Sequence, residues 1–131
     1  MRLFPNNEIN LKELLVVNLQ ITLQEALRKI SNEMQSIFDD KLKDVILFGS
    51  YARGDYDKYS DVDIMVLVDI DRYELTKYRK IVQVVRQKID EEYNYEFLIT
   101  ILLQDEETFI RYKSASGFFK NIILEGITIS A

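Results

Sequence analysis

Two apolar segments separated by a polar stretch constrain the fold of this chain more than any other feature. Residues 45–48 and 64–68 are short, rich in β-branched side chains and bounded by polar residues, which is the pattern of buried strands. Residues 49–63 therefore connect two strands. Asp61 and Asp63 begin the second strand two residues apart. Because strand side chains alternate between faces, we predict that both carboxylates lie on one face of the sheet.

The segment before these strands is predicted to be helical. Thr22 and Glu25 have the spacing of a capping box, in which the hydroxyl and the carboxylate satisfy free amide groups at the start of a helix. Apolar residues then recur every three or four positions and predict an amphipathic helix that ends at residues 39–41. Residues 1–21 are expected to form an N-terminal helical appendage of a single domain that spans residues 1–131.

The segment after the strands continues the alternation of helix and strand. Asp71 is predicted to cap a helix that closes at residues 91–94, and the β-prone run at 97–103 predicts a third strand. Two short helices follow, the first from about Asp105 and the second ending at Gly126, with an edge strand after it. The second short helix is predicted to bury Phe118, Phe119, Ile122 and Ile123. This order predicts a small α/β (α+β) fold, with a mixed sheet flanked by helices.

The composition excludes several classes of function. The chain has no cysteine and no histidine, so any metal would be held by oxygen ligands. With 22 acidic and 17 basic side chains and a net charge of −5, general binding to nucleic acid is not expected. No apolar run approaches the roughly 18 residues of a membrane span, so we expect no membrane partner and a cytoplasmic location.

Known phosphate- and calcium-binding motifs do not fit the polar stretch. Gly49 and Gly54 have the spacing of P-loop glycines, but Asp55 stands where that loop requires lysine. A dinucleotide-binding fingerprint fails because the third glycine is absent and the segment leads into a strand. Asp69 and Asp71 lack the glycine and the glutamate of a calcium loop, and we interpret them as a turn and a helix cap.

The pattern that remains is Gly49-Ser50 followed, after ten intervening residues, by Asp61 and Asp63. Carboxylates about 6.6 Å apart repel each other by about 2.5 kcal/mol at an effective dielectric constant of about 20, and a divalent cation removes that repulsion. Oxygen ligands favour Mg²⁺ or Mn²⁺, and Mg²⁺ commonly completes its shell with water and substrate phosphates. The pattern therefore predicts that ATP or another NTP binds, with Gly49 and Ser50 against the triphosphate.

Other interpretations of the same residues remain open at this stage. An Asp-x-Asp pair on its own is ordinarily a solvated strand end or a turn cap. Arg53 is equally suited to neutralise a phosphate or to form a surface ion pair with Asp55 or Asp57. The three tyrosines of the stretch favour packing within the loop over stacking on a base. They are Tyr51, Tyr56 and Tyr59.

Residues 49–55 (GSYARGD) and 60–64 (SDVDI) together resemble the signature of the minimal nucleotidyltransferases of the DNA polymerase beta superfamily. The order of the predicted elements matches this family over roughly residues 23–129. The resemblance implies a Mg²⁺-dependent attack on the α-phosphate of an NTP, with release of pyrophosphate. It assigns Asp61 and Asp63 as metal-binding catalytic carboxylates. Gly49 and Ser50 match the triphosphate-binding pair, and Arg53 is a further candidate for nucleotide binding.

The third carboxylate of this family is the point at which the chain departs from the pattern. Active members add it from a neighbouring strand, where this chain offers Thr100 near the centre of its third strand. Glu96 lies on the same face by parity and would substitute if the strand register brought it to Asp63. Without a third carboxylate, the protein would bind the nucleotide but catalyse slowly, or would serve as a binding module.

The resemblance also implies a partner. Larger relatives that modify antibiotics or tRNA carry a C-terminal domain for the acceptor, which we do not expect here. The chain resembles the antitoxin of two-component bacterial modules, in which adenylate is transferred to a tyrosine of a helical HEPN-type partner. The alternatives are a non-catalytic antitoxin that acts by docking and a nucleotidyltransferase that modifies an antibiotic. A homo-oligomer is the other source of an acceptor surface.

Overall fold

The computed structural model of the protein describes residues 11–129, and side chains from Gln20 onward. Its centre is a four-stranded mixed sheet in the order β3-β2-β1-β4. Strands β1 and β2 are antiparallel, whereas β2 and β3 are parallel. The strands are β1 Leu42–Phe48, β2 Asp61–Val68, β3 Leu98–Asp105 and β4 Ile127–Thr128.

Five α-helices pack against this sheet: α1 Leu11–Phe38, α2 Ser50–Arg53, α3 Thr76–Glu92, α4 Glu106–Tyr112 and α5 Gly117–Glu125. Helix α3 forms the crossover that joins the parallel strands β2 and β3. The predicted fold class, strand order along the chain and edge strand β4 are confirmed. The short helix α2 was not predicted, and it lies inside the polar stretch between β1 and β2.

The predicted start of the first helix at Thr22 is wrong. Helix α1 is continuous from Leu11, so residues 11–21 are part of the same helix. Glycine and proline, the strongest helix breakers, are absent from residues 11–38. A threonine followed by a glutamate is therefore not sufficient to start a helix here. The remaining part of the predicted appendage, residues 1–10, lies outside the described residues.

Asp71 is not the cap of the second long helix. Its Oδ1 accepts a hydrogen bond of 2.8 Å from the amide of Tyr73, which is a local turn, and α3 begins only at Thr76. The end of α3 at Glu92 agrees with the predicted closure. Asp105 caps α4 as expected, since its Oδ2 accepts from the amide of Thr108 at 2.7 Å.

Two apolar cores lie on opposite faces of the sheet. The larger one packs α1 and α3 against the face that contains the fully buried Val62 and Ile64 of β2. The smaller one lies under α4 and α5 and contains Met65 and Ile122. The alternation of the two faces along β2 places Asp61 and Asp63 on the side of the smaller core.

The smaller core does not take in every apolar side chain predicted for it. Ile122 is buried and Phe119 is half-buried, but Phe118 and Ile123 are 51% and 53% exposed, contrary to prediction. Helix α5 has nine residues. One face of this helix packs on the sheet, and the other face is exposed to solvent. None of the helices within residues 11–129 has the length and apolar composition needed to cross a membrane.

Candidate functional site

The carboxylates of Asp61 and Asp63 lie at the start of the central strand β2. Their neighbours Val62 and Ile64 are fully buried on the other face, which fixes the register of the strand and therefore the direction of both acids. Asp61 is exposed and Asp63 is half-buried. The prediction that the two carboxylates share one face agrees with this burial pattern.

Gly49 adjoins this pair from the end of β1. Its φ of 76° and ψ of −156° lie in a region that is essentially restricted to glycine. A Cβ atom at this position would clash with Oδ2 of Asp63. The carboxylate of Asp63 therefore lies directly against the backbone of Gly49 and occupies the space that a side chain at position 49 would need.

Ser50 follows as the first residue of α2. The carbonyl of Gly49 accepts hydrogen bonds from the amides of Ala52 and Arg53, both at 3.1 Å, and that of Ser50 accepts from Gly54 at 2.9 Å. These bonds close a single helical turn immediately after β1. They fix the backbone of residues 49–54, which include the predicted triphosphate-binding pair.

Arg53 forms two ion pairs at the other end of α2. Its Nε donates to Oδ2 of Asp55 at 3.1 Å, and its Nη1 donates to Oε2 of Glu125 in α5 at 3.2 Å. Of the two alternatives, the predicted pair with Asp55 is therefore present. Asp57 instead stabilises the loop before β2, because its Oδ1 accepts a hydrogen bond of 2.8 Å from the amide of Tyr59.

The electrostatic environment of Asp63 reflects the proximity of these groups. Burial raises the pKa of the Asp63 carboxyl, the negative charge of Asp61 raises it further, and the positive charge of Arg53 lowers it. Partial desolvation and a like charge both disfavour ionisation of Asp63. A cation between the two carboxylates would relieve both effects.

The strand register decides which residue stands in the position of the third carboxylate. Thr100 of β3 is the Cα partner of Asp63, and Leu98 is the partner of Asp61. The condition under which Glu96 would substitute is therefore not met, because Glu96 precedes β3. Its charge instead makes the smallest contribution to the raised pKa of Tyr51, after burial and the larger effects of Tyr56 and Asp57. Among the residues with described side chains, no three acidic groups are close enough to hold a metal ion.

Two of the three tyrosines of the loop, Tyr51 and Tyr56, pack as predicted, whereas Tyr59 does not. Tyr51 and Tyr56 stack on each other with ring centroids 4.1 Å apart and an interplanar angle of 7°. Tyr51 also contacts the larger core. Tyr59 is 76% exposed, and the amino group of Lys58 lies 5.0 Å from its ring centroid. The stacked pair stiffens the connection between α2 and β2.

Sequence reasoning did not find Glu125, which is 72 positions from Arg53 in the sequence. A cavity of about 180 Å³ lies between Gly49 and α5, and both members of the ion pair line it together with Phe48 and Asn121. No pattern in the sequence connects Glu125 with the motif. Only the packing of α5 across β1 does so.

The mixed sheet therefore has an Asp-x-Asp pair at the start of β2, with the backbone of Gly49 against Asp63. Residues 27–127 match the family model described as a nucleotidyltransferase domain. The chain therefore belongs to the nucleotidyltransferase domain family.

Known proteins resemble the chain over most of its length. It is 32% identical over 104 residues to a protein of Methanocaldococcus jannaschii named "Putative protein adenylyltransferase MJ0604". The aligned region covers 79% of this chain and 93% of that protein. A crystal structure of a nucleotidyltransferase, itself termed putative, from Sulfolobus solfataricus has the same fold, with a TM-score of 0.57, 22% identity and coverage of 86% and 83%. A toxin-antitoxin complex solved with AMP-PNP gives a TM-score of 0.46 and 20% identity, covering 79% of this chain and 73% of that one.

Proposed function

We propose that this protein transfers AMP from ATP to a hydroxyl group of a partner protein. The observation that supports this proposal most directly is the contact of Gly49 with the carboxylate of Asp63, on the face that Asp63 shares with Asp61. It joins the residues proposed to hold the triphosphate to those proposed to hold the metal. The protein acceptor is suggested by the name of the relative from Methanocaldococcus jannaschii.

Mg²⁺ or Mn²⁺ fits the residues that are present. Asp61 and Asp63 supply two carboxylates on one face, and burial and the charge of Asp61 raise the pKa of Asp63 despite the opposing charge of Arg53. The other ligands of such an ion are water and phosphate oxygens, which Mg²⁺ commonly retains. When bound, the ion polarises the α-phosphate and offsets the charge that develops during transfer.

The residues of the chain then have distinct tasks. Asp61 and Asp63 hold the metal, and the backbone of Gly49 allows the triphosphate to approach, since it has no side chain. The amide and hydroxyl of Ser50 donate hydrogen bonds to phosphate oxygens, and Arg53 adds positive charge. Thr100, beside Asp63, contributes no carboxylate. We therefore expect slow transfer relative to a site with three acids.

The test is transfer of label from [α-³²P]ATP in the presence of Mg²⁺ to the protein encoded by the neighbouring gene, which we propose to be a helical HEPN-type toxin. Label on the partner that depends on Mg²⁺ and disappears with Asp61→Asn supports transfer. A matched control is Asp69→Asn, which removes an exposed carboxylate beyond the other end of β2. Absence of label from the partner over many hours would contradict the transfer.

A second candidate function follows from Thr100 at the position of the third acid. A protein with two acids would bind Mg-ATP and neutralise its partner by docking, without transfer. The same pair of proteins distinguishes the two functions. If Asp61→Asn neutralises the partner as well as the wild type does, docking is sufficient. Loss of neutralisation in a variant that still binds the partner indicates that transfer is required.

A further inference from the structure

The ion pair between Arg53 and Glu125 joins the end of α2 to the C-terminal end of α5. Glu125 is the last residue of α5, and its Oε2 lies 3.2 Å from Nη1 of Arg53. Together with Asp55, whose Oδ2 is 3.1 Å from Nε, it surrounds the guanidinium with two carboxylates. The three groups carry a net charge of −1 beside a second pair of acids. This arrangement is unfavourable for an incoming triphosphate unless one carboxylate is displaced.

Glu125 is the carboxylate placed to be displaced. It lines the same cavity of about 180 Å³ as Gly49, whereas Asp55 belongs to the loop that follows Arg53 and does not line that cavity. Glu125 bonds Nη1, at the end of the guanidinium, while Asp55 bonds Nε, nearer the chain. A phosphate oxygen that enters beside Gly49 would therefore compete with Glu125 for the same donor.

The backbone around Glu125 is fixed, so the competition involves side chains alone. The amide of Gly126 donates to the carbonyl of Ile122 at 2.7 Å. A Cβ atom at Gly126 would lie 2.7 Å from Cγ2 of Ile46, inside contact distance. Helix α5 therefore ends in close contact with β1 and does not need to shift. Both side chains of the ion pair are substantially exposed, at 42% for Arg53 and 34% for Glu125, and can rotate apart at small cost.

We propose that Glu125 competes with the triphosphate for Arg53. When a nucleotide binds, the ion pair breaks and Arg53 contacts a phosphate oxygen instead of Glu125. This inference rests on the proposed function, because it assumes that ATP occupies the cavity beside Gly49. It makes Glu125 a determinant of nucleotide affinity, although Glu125 lies outside the signature motif. The pair would keep Arg53 close to the cavity before binding and would lower the affinity for ATP below what a free arginine would give.

The test is a titration of Mg-ATP into the wild type and Glu125→Gln by isothermal calorimetry, with Arg53→Ala and the double variant to complete a cycle. Glu125→Gln is expected to lower the Kd by about two- to five-fold, the range of one exposed ion pair. In the Arg53→Ala background the same substitution should change the Kd by less than about 1.5-fold, because the competition no longer exists.

The matched control is Glu107→Gln, which removes the same charge from another exposed pair, 3.1 Å from Arg111 and on α4. It should leave the Kd unchanged. An unchanged or higher Kd in Glu125→Gln, or equal tightening in Glu107→Gln or without Arg53, would overturn the inference while the proposed function stands. If the wild type does not bind Mg-ATP, the proposed function fails and this inference fails with it.

Discussion

Substitution of Gly49 by alanine should disrupt the site and the backbone at once, and the two effects can be separated. Gly49 combines a φ of 76° with a ψ of −156° and lies against Asp63. An L-residue in this region costs about 3 kcal/mol, the upper end of the range for strained backbone. Rotation of the Asp63 side chain away from the new methyl group adds about 0.5–1.5 kcal/mol.

Gly54 supplies the control, because it is also left-handed but has free space around it. Its φ of 85° and ψ of 9° are those of a helix C-cap, and a Cβ atom there would meet nothing within 4 Å. Gly54→Ala should therefore cost only the strain of the left-handed region, about 1–2 kcal/mol. The difference between the two variants reports the contact with Asp63 together with the more restricted ψ of Gly49.

Two measurements separate stability from function. Thermal unfolding should show a loss on the order of 10 °C for Gly49→Ala and about half of that for Gly54→Ala. At a temperature where both variants are folded, the Kd for Mg-ATP should rise at least about tenfold in Gly49→Ala, the equivalent of about 1.4 kcal/mol, and less than about twofold in Gly54→Ala. Equal effects of the two substitutions on the Kd would refute the contact between Gly49 and Asp63 as the basis of the site.

Two further predictions concern the acids of the site. The folded-state pKa of Asp63 is raised, so its ionisation costs stability once the pH rises from about 4 through that pKa. Without divalent metal, Asp63→Asn should therefore unfold at a higher temperature than the wild type at pH 7. In a calorimetric series this difference in melting temperature should vanish below about pH 4. A lower melting temperature of the variant at pH 7 would contradict this prediction. Thr100→Asp places a carboxylate beside Asp63 and should lower the Kd for Mg²⁺ in the presence of ATP by at least about tenfold, the effect of a good additional ligand. Thr100→Asn is the uncharged control, and equal affinity of both variants would show that Thr100 does not face the metal.

The parts of the fold that follow from local patterns were predicted from the sequence. The alternation of side chains along a strand predicted the shared face of Asp61 and Asp63, because residues two positions apart lie on the same side. The order of strands and helices also followed, since each long element has its own hydrophobic period. Two predicted helix caps were wrong because the local sequence supports another structure at each position. Thr22 lies inside a helix that continues on both sides of it, and Asp71 closes a turn instead of capping α3.

The parts of the site that depend on tertiary contacts could not be predicted. Whether Thr100 or Glu96 stands beside Asp63 is decided by the register of two parallel strands joined through α3, and parity allows either residue. The pair between Arg53 and Glu125 depends on how α5 crosses β1, which no spacing in the sequence encodes. Helix α2 is a single turn, too short to produce a periodic pattern.

The central claim is that Asp61 and Asp63 hold a divalent cation for a nucleotide placed against Gly49 and Ser50. Calorimetric titration of ATP, with Mg²⁺ or with EDTA, tests this claim most directly in the wild type and in Asp61→Asn/Asp63→Asn. We predict one ATP bound per chain with Mg²⁺, and at least about a hundredfold weaker binding with EDTA or in the double variant, the equivalent of about 2.7 kcal/mol. ATP binding of equal affinity in the double variant, or without a divalent cation, would contradict the account.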